Sequence, residues 1–530
     1  MSQARVHISS QGISDTLWKD IQVRQALNEH WTCRIELRNT LDEKPKVEEF
    51  IGQPLKVSTF SLLGEESVIF SGFIITAQLV YEVTGSYGAV VEAVSDTWKM
   101  DQATRHAYFQ KKTASDAAKQ VAGRYGLNIT GAMPSGPELS YAQWDETDFA
   151  FVLRLVDDTE AWLRPSVSGD SPGIEVQTEF QSGPTVEWRQ GEYGLVEWRA
   201  GAALRPLKME GYHYDPLPME SQYHSDVTDD VPFYGNAAES LVSSAKQQGT
   251  QLPAAYVVER HRSVNQGDYN QRLQRESRRA LASSVVCHGL SREQQVRAGD
   301  AITVSGLTGV DATYGVTSCT HHWTPKGYEN SFTATPAQHW SQAVRPPRPS
   351  LTGIYPACVV ANHDPHNQGR IKVRYWWQDE SETTWVRLIT GHAGSGRGSL
   401  MHPEIGDEVA IIFEGGDPER PYIVGSLWNG VQQPPTQGYW SPGSLNGSEF
   451  DENNIKRFVT KSGHRITAVD SAGKETLTAS TPKSNRFMMT EKANETGRPA
   501  IVLESQGDII LAAPEGRIHF VSKTQSKEVG

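Results

Sequence analysis

The chain has 530 residues, 37% of them hydrophobic, and a formal net charge of −13 at neutral pH. That length accommodates about three or four ordinary domains. Apolar residues spread along the whole length argue against a disordered polymer, and the acidic balance argues against a protein that lives on nucleic acid, whose phosphates demand a basic face.

In chain order, the opening residues MSQARVHISS lack the charged-then-apolar pattern of a secretory signal. The expectation is synthesis in the cytoplasm, with any export driven by other proteins. The longest apolar stretch, Val68 to Val80, is interrupted by Ser71, Gly72, Thr76 and Gln78. A membrane span needs about 20 apolar residues, so the stretch reads as a buried strand. Ser115 to Tyr125 places Ala117, Ala118, Val121 and Ala122 on one helical face and stops at Gly126. Thr147 to Trp162 has Phe149, Val152, Leu153 and Val156 at helical spacing behind a capping threonine. Tyr269 to Leu281 is a third helix, whose Arg272, Arg275, Arg278 and Arg279 suit a solvated or interface face. Cys33, Cys287, Cys319 and Cys358 lie far apart, without metal-binding spacing, and read as free thiols buried in cores. His321 and His322 fall on a predicted strand and point to opposite faces, so they form no shared metal site.

Two Pro-rich stretches, Arg345 to Pro349 and Pro434 to Pro442, read as linkers, because proline fixes φ and withholds a ladder donor. Between them, Arg370 to Tyr375 alternates with period two, Trp385 to Ile389 follows, and Glu408 to Phe413 and Tyr422 to Leu427 complete a set of short strands. Four or five such strands in about 80 residues, joined by Gly and Asp-Pro turns, suit a small barrel. In the tail, Gly507 to Ala512 is echoed nine residues later by Gly516 to Val521, with Ile509 in register with Ile518 and Leu511 with Phe520. A looser echo links Gly463 to Ile466 with Gly473 to Thr476. Short strands at this step suggest the rungs of a β-solenoid. One ribbon of this kind cannot cover its own apolar face, and closure by three chains is the simplest solution.

Local motifs supply no strong case for chemistry. GxSxG, HExxH and P-loop patterns are absent. The acid pairs Glu404/Asp407 and Asp417/Glu419 sit in turn sequences, where Asp serves the backbone. Gly394 to Gly398 reads as a flexible loop and not a phosphate cradle.

The middle segment carries a resemblance. Gly369, Arg370 and Val373, then Trp385 and Arg387, then Gly406, Asp407 and Glu408, then Gly416, Asp417, Pro418, Arg420, Pro421 and Gly425 occur in order, the last six within the run GDPERPYIVG. This string resembles the OB-fold domain of VgrG-type spike proteins of type VI secretion, and of related spikes in phage tails and extracellular contractile systems. Phe50-Ile51-Gly52, Phe70 to Ile74, Asp145 to Phe149, Arg297 to Asp300 and Tyr314-Gly315-Val316 resemble motifs of the phage hub domain.

The resemblance implies a mainly β chain with α+β hub domains. Its expected parts are a hub-like region at 1–344 with two β-barrel subdomains and inserted helices, an OB fold at 351–430, a linker at 431–454, and a trimeric β-helical needle at 455–530. It further implies a structural homotrimer seated on a hexameric inner tube and the baseplate. A PAAR-repeat protein would cap it, effector cargo would ride on it, and a target membrane would be met only on firing. It would be assembled in the cytoplasm and delivered outside the cell or into a target. No cofactor, metal or nucleic acid is expected, and no enzymatic activity, since 431–454 is too short for a catalytic insertion and little follows the needle. The tail offers only His519 and no HxH, so a metal would belong to a separate tip protein. The short tail favours an extracellular, phage-tail-like particle over type VI secretion. Two other readings remain open at this point. One is a single-stranded nucleic-acid or glycan-binding OB module, with Arg370, Lys372, Arg374 and Trp376 on one strand face. The other is a tail-associated cell-wall hydrolase.

Overall fold

Alternating burial sets the first strands. In Trp18–Ala26, Ile21, Val23 and Gln25 are buried while Gln22 and Arg24 are exposed, and Cys33, Ile35 and Leu37 of Thr32–Leu37 repeat the pattern. In this computed structural model the described residues are 5–13, 18–38, 45–60, 64–81, 83, 85–131, 133–134, 136–167, 172–188, 194–215, 219–236, 238–257, 266–342, 346–377, 382–435, 453–491 and 498–520. Val521 and most of the second Pro-rich stretch lie outside them. The chain divides into two compact units, 1–427 and 428–530.

A 12-stranded sheet is the frame of the first unit. Its main path runs Val6–Ser9, Pro54–Phe60, Glu66–Tyr81, Tyr87–Val94, Thr32–Leu37, Trp18–Ala26, Ala312–Thr324, Gly327–Thr335, Val285–Ser291 and Leu195–Ala202. Asp300–Ser305 branches off Ala312–Thr324 and carries Gln181–Glu187. The predicted strand through Val68–Val80 is present as Glu66–Tyr81. Gly72 lets it pass close to the end of Tyr87–Val94, where a Cβ would lie 2.0 Å from the Val94 carbonyl oxygen. The two halves of the sheet meet where Trp18–Ala26 pairs antiparallel with Ala312–Thr324, Val23 opposite His321. Each half closes over its own core, one around Trp31, Trp162 and Trp323, the other around Tyr314, Phe332 and Val304.

Four α-helices among the described residues decorate the frame: α1 (Ala114–Gly123), α2 (Asp148–Asp157), α3 (Glu239–Gly249) and α4 (Gln266–Ala282). The Thr113 hydroxyl accepts the Asp116 N–H and the Thr147 hydroxyl accepts the Ala150 N–H, each at 3.1 Å, satisfying donors that the first turn leaves open. The apolar faces of α1 and α2 pack together with Phe109, Leu163 and Ile174. Helix α2 ends five residues short of the expected Trp162. The chain reverses after Asp157 with Glu160 at φ 58°, and Trp162–Pro165 then pairs as a strand with Gly173–Gln177. The arginines of α4 face partners within the chain: Arg279 chelates the Asp157 carboxylate at 2.9 Å, and Arg278 holds Glu160 at 2.6 Å.

Residues 355–427 form a closed five-stranded barrel in the order Lys372–Tyr375, Tyr355–Ala361, Glu408–Phe413, Pro421–Leu427 and Arg387–Leu388. An Ile371–Val386 bridge joins the first strand to the last. Val359, Ile371, Val373, Val409, Ile411 and Ile423 fill it.

In the second unit, Ile455–Val459, Arg465–Val469, Thr476–Ser480, Arg486–Thr490 and Ala500–Glu504 form an antiparallel meander. Its register lines up two cross-strand rows on one face: Phe458, Ile466, Ala479, Phe487 and Leu503, beside Ala468, Leu477, Met489 and Ile501. The seven large side chains among them are 38% to 71% exposed. Ile455, Thr467, Val469 and Thr478, on the opposite face, are buried. Beyond the meander, Asp508–Phe520 carries no strand in the single chain, and Ile509, Leu511, Ile518 and Phe520 are exposed.

Cys33, Cys287 and Cys319 are buried free thiols, and Cys358 is half-buried. His321 is buried and shares a 2.7 Å hydrogen bond with the Tyr328 hydroxyl, while His322 on the other face meets Asp20 at 2.6 Å. No helix among the described residues is long and apolar enough to cross a membrane.

Candidate functional site

The antiparallel strand pair Thr104–Lys112 and Leu139–Thr147, with α2 behind it, docks onto the barrel. Its apolar half centres on Trp144, whose ring lies 4.2 Å from Trp377 and 5.3 Å from Tyr355. Trp377 in turn stacks on Tyr375 at 4.6 Å with the planes 4° apart. Edge-to-face and offset contacts of this kind resist sliding as well as separation.

The other half is ionic, and the GDPERPY run builds it. Gly415 and Gly416 adopt φ 60° and 81°, values open to glycine at little cost. A Cβ on Gly416 would sit 2.4 Å from the Ser350 hydroxyl oxygen. The Glu414 and Arg420 backbones pair, with the Glu414 N–H donating to the Arg420 carbonyl at 2.9 Å. The Asp417 carboxylate accepts the Glu419 N–H at 2.9 Å, and the tightened turn projects Glu419 away from the barrel. There Glu419 accepts the Ala142 N–H at 3.3 Å and faces the Arg154 guanidinium at 3.6 Å. Arg154, 3% exposed, donates to Glu146 at 2.6 Å and to the Ala142 carbonyl at 2.9 Å. Arg348, on the connection into the barrel, is half-buried and pairs with Asp158. Burial and the neighbouring Asp417 charge push the Glu419 carboxyl up to about 7, and burial likewise raises Asp417. A cavity of about 100 Å³, lined by Arg154, Arg348, Ser350, Gly416, Asp417 and Glu419, lies at the centre.

The remaining motif residues brace the barrel. Arg420 donates to Glu414 at 3.2 Å, the Tyr422 hydroxyl donates to Glu414 at 2.6 Å, and Arg387 lies over the Tyr422 ring. Pro421 opens the strand that contains Gly425, and Pro418 is buried beside the cavity. Asp407 accepts the Glu404 N–H at 2.8 Å, so that acid pair is a turn, with Gly406 at φ 95° and Glu408 starting the next strand. Val373 is in the core, and the Trp385 ring sits 5.4 Å from the Lys372 ammonium. Gly369, at φ 69°, precedes Arg370, and Arg370 forms two 2.9 Å hydrogen bonds to Asp364. The same carboxylate accepts the N–H groups of His366, Gln368 and Arg370, and the Arg370 bond above all holds it well below the usual carboxylate range. Of the basic side chains proposed for nucleic acid, Arg370 and Lys372 are matched by Asp364 and Glu382.

Motif reading located the turn and missed the contacts. Glu419 reads as one more turn acid, and Arg154 as a polar residue on an amphipathic helix. Asp364 had a usable signal, a Pro-containing turn closed by Gly369-Arg370.

Residues 24–327 match the model of the phage tail baseplate hub (GPD) family, more than half of the chain. The chain belongs to that family. Residues 355–428 match the type VI secretion system/phage-baseplate injector OB domain, so the joint lies between the two matched segments. Among curated proteins, the chain is similar to the type VI secretion system spike protein VgrG1b of Pseudomonas aeruginosa, 24% identical over 429 residues, covering 72% of this chain and 54% of the relative. VgrG1a of the same organism is 23% identical, covering 82% of this chain and 71% of that one. The chain thus spans about half the length of the first relative and somewhat more of the second. In fold it is similar to the Escherichia coli c3393 protein, described as a type VI secretion component resembling the T4 tail proteins gp27 and gp5. That match has a TM-score of 0.54 at 18% identity and covers 79% of this chain and all of the other. The VgrG of a Francisella PdpA–VgrG complex gives a TM-score of 0.56 at 8% identity over 92% of this chain and 76% of that one.

Proposed function

We propose that this chain is the hub and spike of a contractile injection apparatus, a mechanical part that works as a homotrimer and performs no catalysis. The observation that carries the reading is one compact unit in which a baseplate-hub fold and an injector barrel are joined by Trp144 and by Glu419 on Arg154. A part that passes axial load needs a joint that neither slides nor hinges. An aromatic wedge beside a buried ion cluster meets that need, because both lose much when displaced by an ångström. The exposed apolar rows of the meander support the trimer: seven large side chains left in water cost too much unless other copies cover them. Three copies would set those rows against one another and continue into a needle at 455–530, with Ile509, Leu511, Ile518 and Phe520 ordering only in the assembly.

In this reading the trimer sits on a hexameric inner tube within a baseplate, carries a PAAR-type tip and any effector cargo, and crosses a target membrane when the sheath contracts. The parts are 1–344 as hub, 351–430 as barrel, 431–454 as linker and 455–530 as needle. The motif residues act structurally, and the chain itself holds no cofactor. The molar mass in solution tests this. Three chains of 58.6 kDa give about 176 kDa, and that mass should persist on dilution. A well-folded monomer at micromolar concentration would remove the basis for the spike.

A further inference from the structure

The joint contains more acid than base. Two guanidinium groups, the buried Arg154 and the largely enclosed Arg348, face four carboxylates: Glu146, Asp158, Asp417 and Glu419. Glu146 and Asp158 already take the short contacts of the two arginines. Arg420 is turned to Glu414. From the strand pair, besides Glu146, come Lys111 and the phenols Tyr108 and Tyr141, both raised by burial, and from α4 come Arg272 beside Asp268, Arg275 on the Asp158 carbonyl and Arg278 on Glu160, all lining the neighbouring cleft with Glu419. Asp417 keeps one buried oxygen, Oδ2, without a hydrogen-bond donor among the described residues, and it lines the 100 Å³ cavity with Glu419. Two like charges two residues apart in a tight turn, out of water and with their cations already engaged, do not both stay ionised.

We propose that the Asp417–Glu419 turn is a proton-binding site, and that the bound proton sets how tightly the barrel is held to the hub. The proton sits on Glu419, which keeps its contact with the Ala142 N–H in either state, whereas ionisation adds an uncompensated charge to the cluster. Because the folded joint holds this proton more firmly than an open one, the linkage has a fixed sign. The joint is tightest below the ordinary carboxylate range and loosens as pH rises through about 7. The site rests on the geometry of the joint and stands whether or not the spike reading does.

Hydrogen exchange by mass spectrometry on the full-length protein, corrected for intrinsic rates, reads the site directly in peptides spanning 139–157 and 408–423. Protection there should fall on the order of 100-fold between pH 5 and pH 8.5 in the unmodified chain. Glu419→Gln, which mimics the protonated form, should hold it nearly constant and leave it higher than the unmodified chain at pH 8.5. Asp417→Asn keeps the acceptor for the Glu419 N–H but removes the like charge, so the fall should begin at lower pH. Flat protection in the unmodified chain overturns the proposal, as does a Glu419→Gln profile that tracks it or an Asp417→Asn profile that does not move. Molar mass measured on the same samples separates this outcome from failure of the trimer.

Discussion

Replacing Arg154 with Met isolates what the ionic half of the joint contributes. The guanidinium lies 2.6 Å from Glu146 and 3.6 Å from Glu419 and is 3% exposed. At an effective dielectric of about 20, those separations correspond to attractions of roughly 6 and 5 kcal/mol before desolvation is subtracted. Desolvation of three groups removes much of that, but Met leaves both carboxylates buried without their cation. Breaking a buried pair in this way costs about 3–5 kcal/mol. Adding Glu419→Gln to Arg154→Met should restore about 1–2 kcal/mol, because one of the stranded charges is gone. A chain of several domains does not unfold in one step, so a single unfolding free energy is not the right readout. Local exchange in peptides 139–157 and 408–423 at pH 8.5, where Glu419 is ionised, gives the opening free energy of the joint itself. A cost below about 1 kcal/mol for Arg154→Met would refute the view that this cluster locks hub to barrel. So would a Glu419→Gln change that worsens the double variant.

Four further outcomes follow from the same contacts. Gly416→Ala forces a side chain into a left-handed conformation against Ser350 and should destabilise the barrel by about 1–2 kcal/mol, visible as a lower melting transition. Asp364 has a depressed carboxyl, so its contribution is present above the ordinary carboxylate range and lost as pH falls through the folded value. Asp364→Asn should therefore lower the melting temperature at pH 7, with the gap to the unmodified chain narrowing in acid. A thiol reagent should modify only Cys358 quickly in the native chain and all four cysteines after denaturation, since burial encloses Cys33, Cys287 and Cys319 and pushes their thiols up, Cys287 to about 12. Leu477→Asp, in the middle of an exposed apolar row, should reduce the proposed trimer to monomers by light scattering while leaving exchange in residues 1–427 unchanged.

How much of this was legible in the sequence depended on how local the cause was. Glu408–Phe413 is a strand with the expected bounds because period-two burial and a Gly406-Asp407 turn act within eight residues. The apolar face of α1 and the start of α2 at Thr147 were readable for the same reason. The end of α2 was not, because its apolar spacing continues into Trp162, and only pairing with Gly173–Gln177 pulls that residue into a strand. The joint was invisible: Glu419 and Arg154 lie 265 positions apart, and nothing in either neighbourhood refers to the other. In the tail, the sequence echo lies at Gly507 and Gly516, while the regular pairing lies upstream. There Ile466-Thr467-Ala468 faces Ala479-Thr478-Leu477, a palindromic match that only an antiparallel register exposes.

The pairing of Trp18–Ala26 with Ala312–Thr324 has a consequence for synthesis. Once Val94 has been made, the first half of the sheet must wait at its open edge until the ribosome has made roughly 220 further residues, about 11–44 s at ordinary elongation rates of about 5–20 residues per second. During that interval the main-chain donors and acceptors of Trp18–Ala26 have no strand to close them, while Tyr87–Val94 and Thr32–Leu37 are already in place on the other side. Such delayed, long-range closure makes for slow maturation and invites pairing between nascent chains on one message. A cell making this protein therefore has reason to shield that edge first, and recombinant yield should respond more to slowed translation and chaperone supply than to any stabilising change in the finished fold.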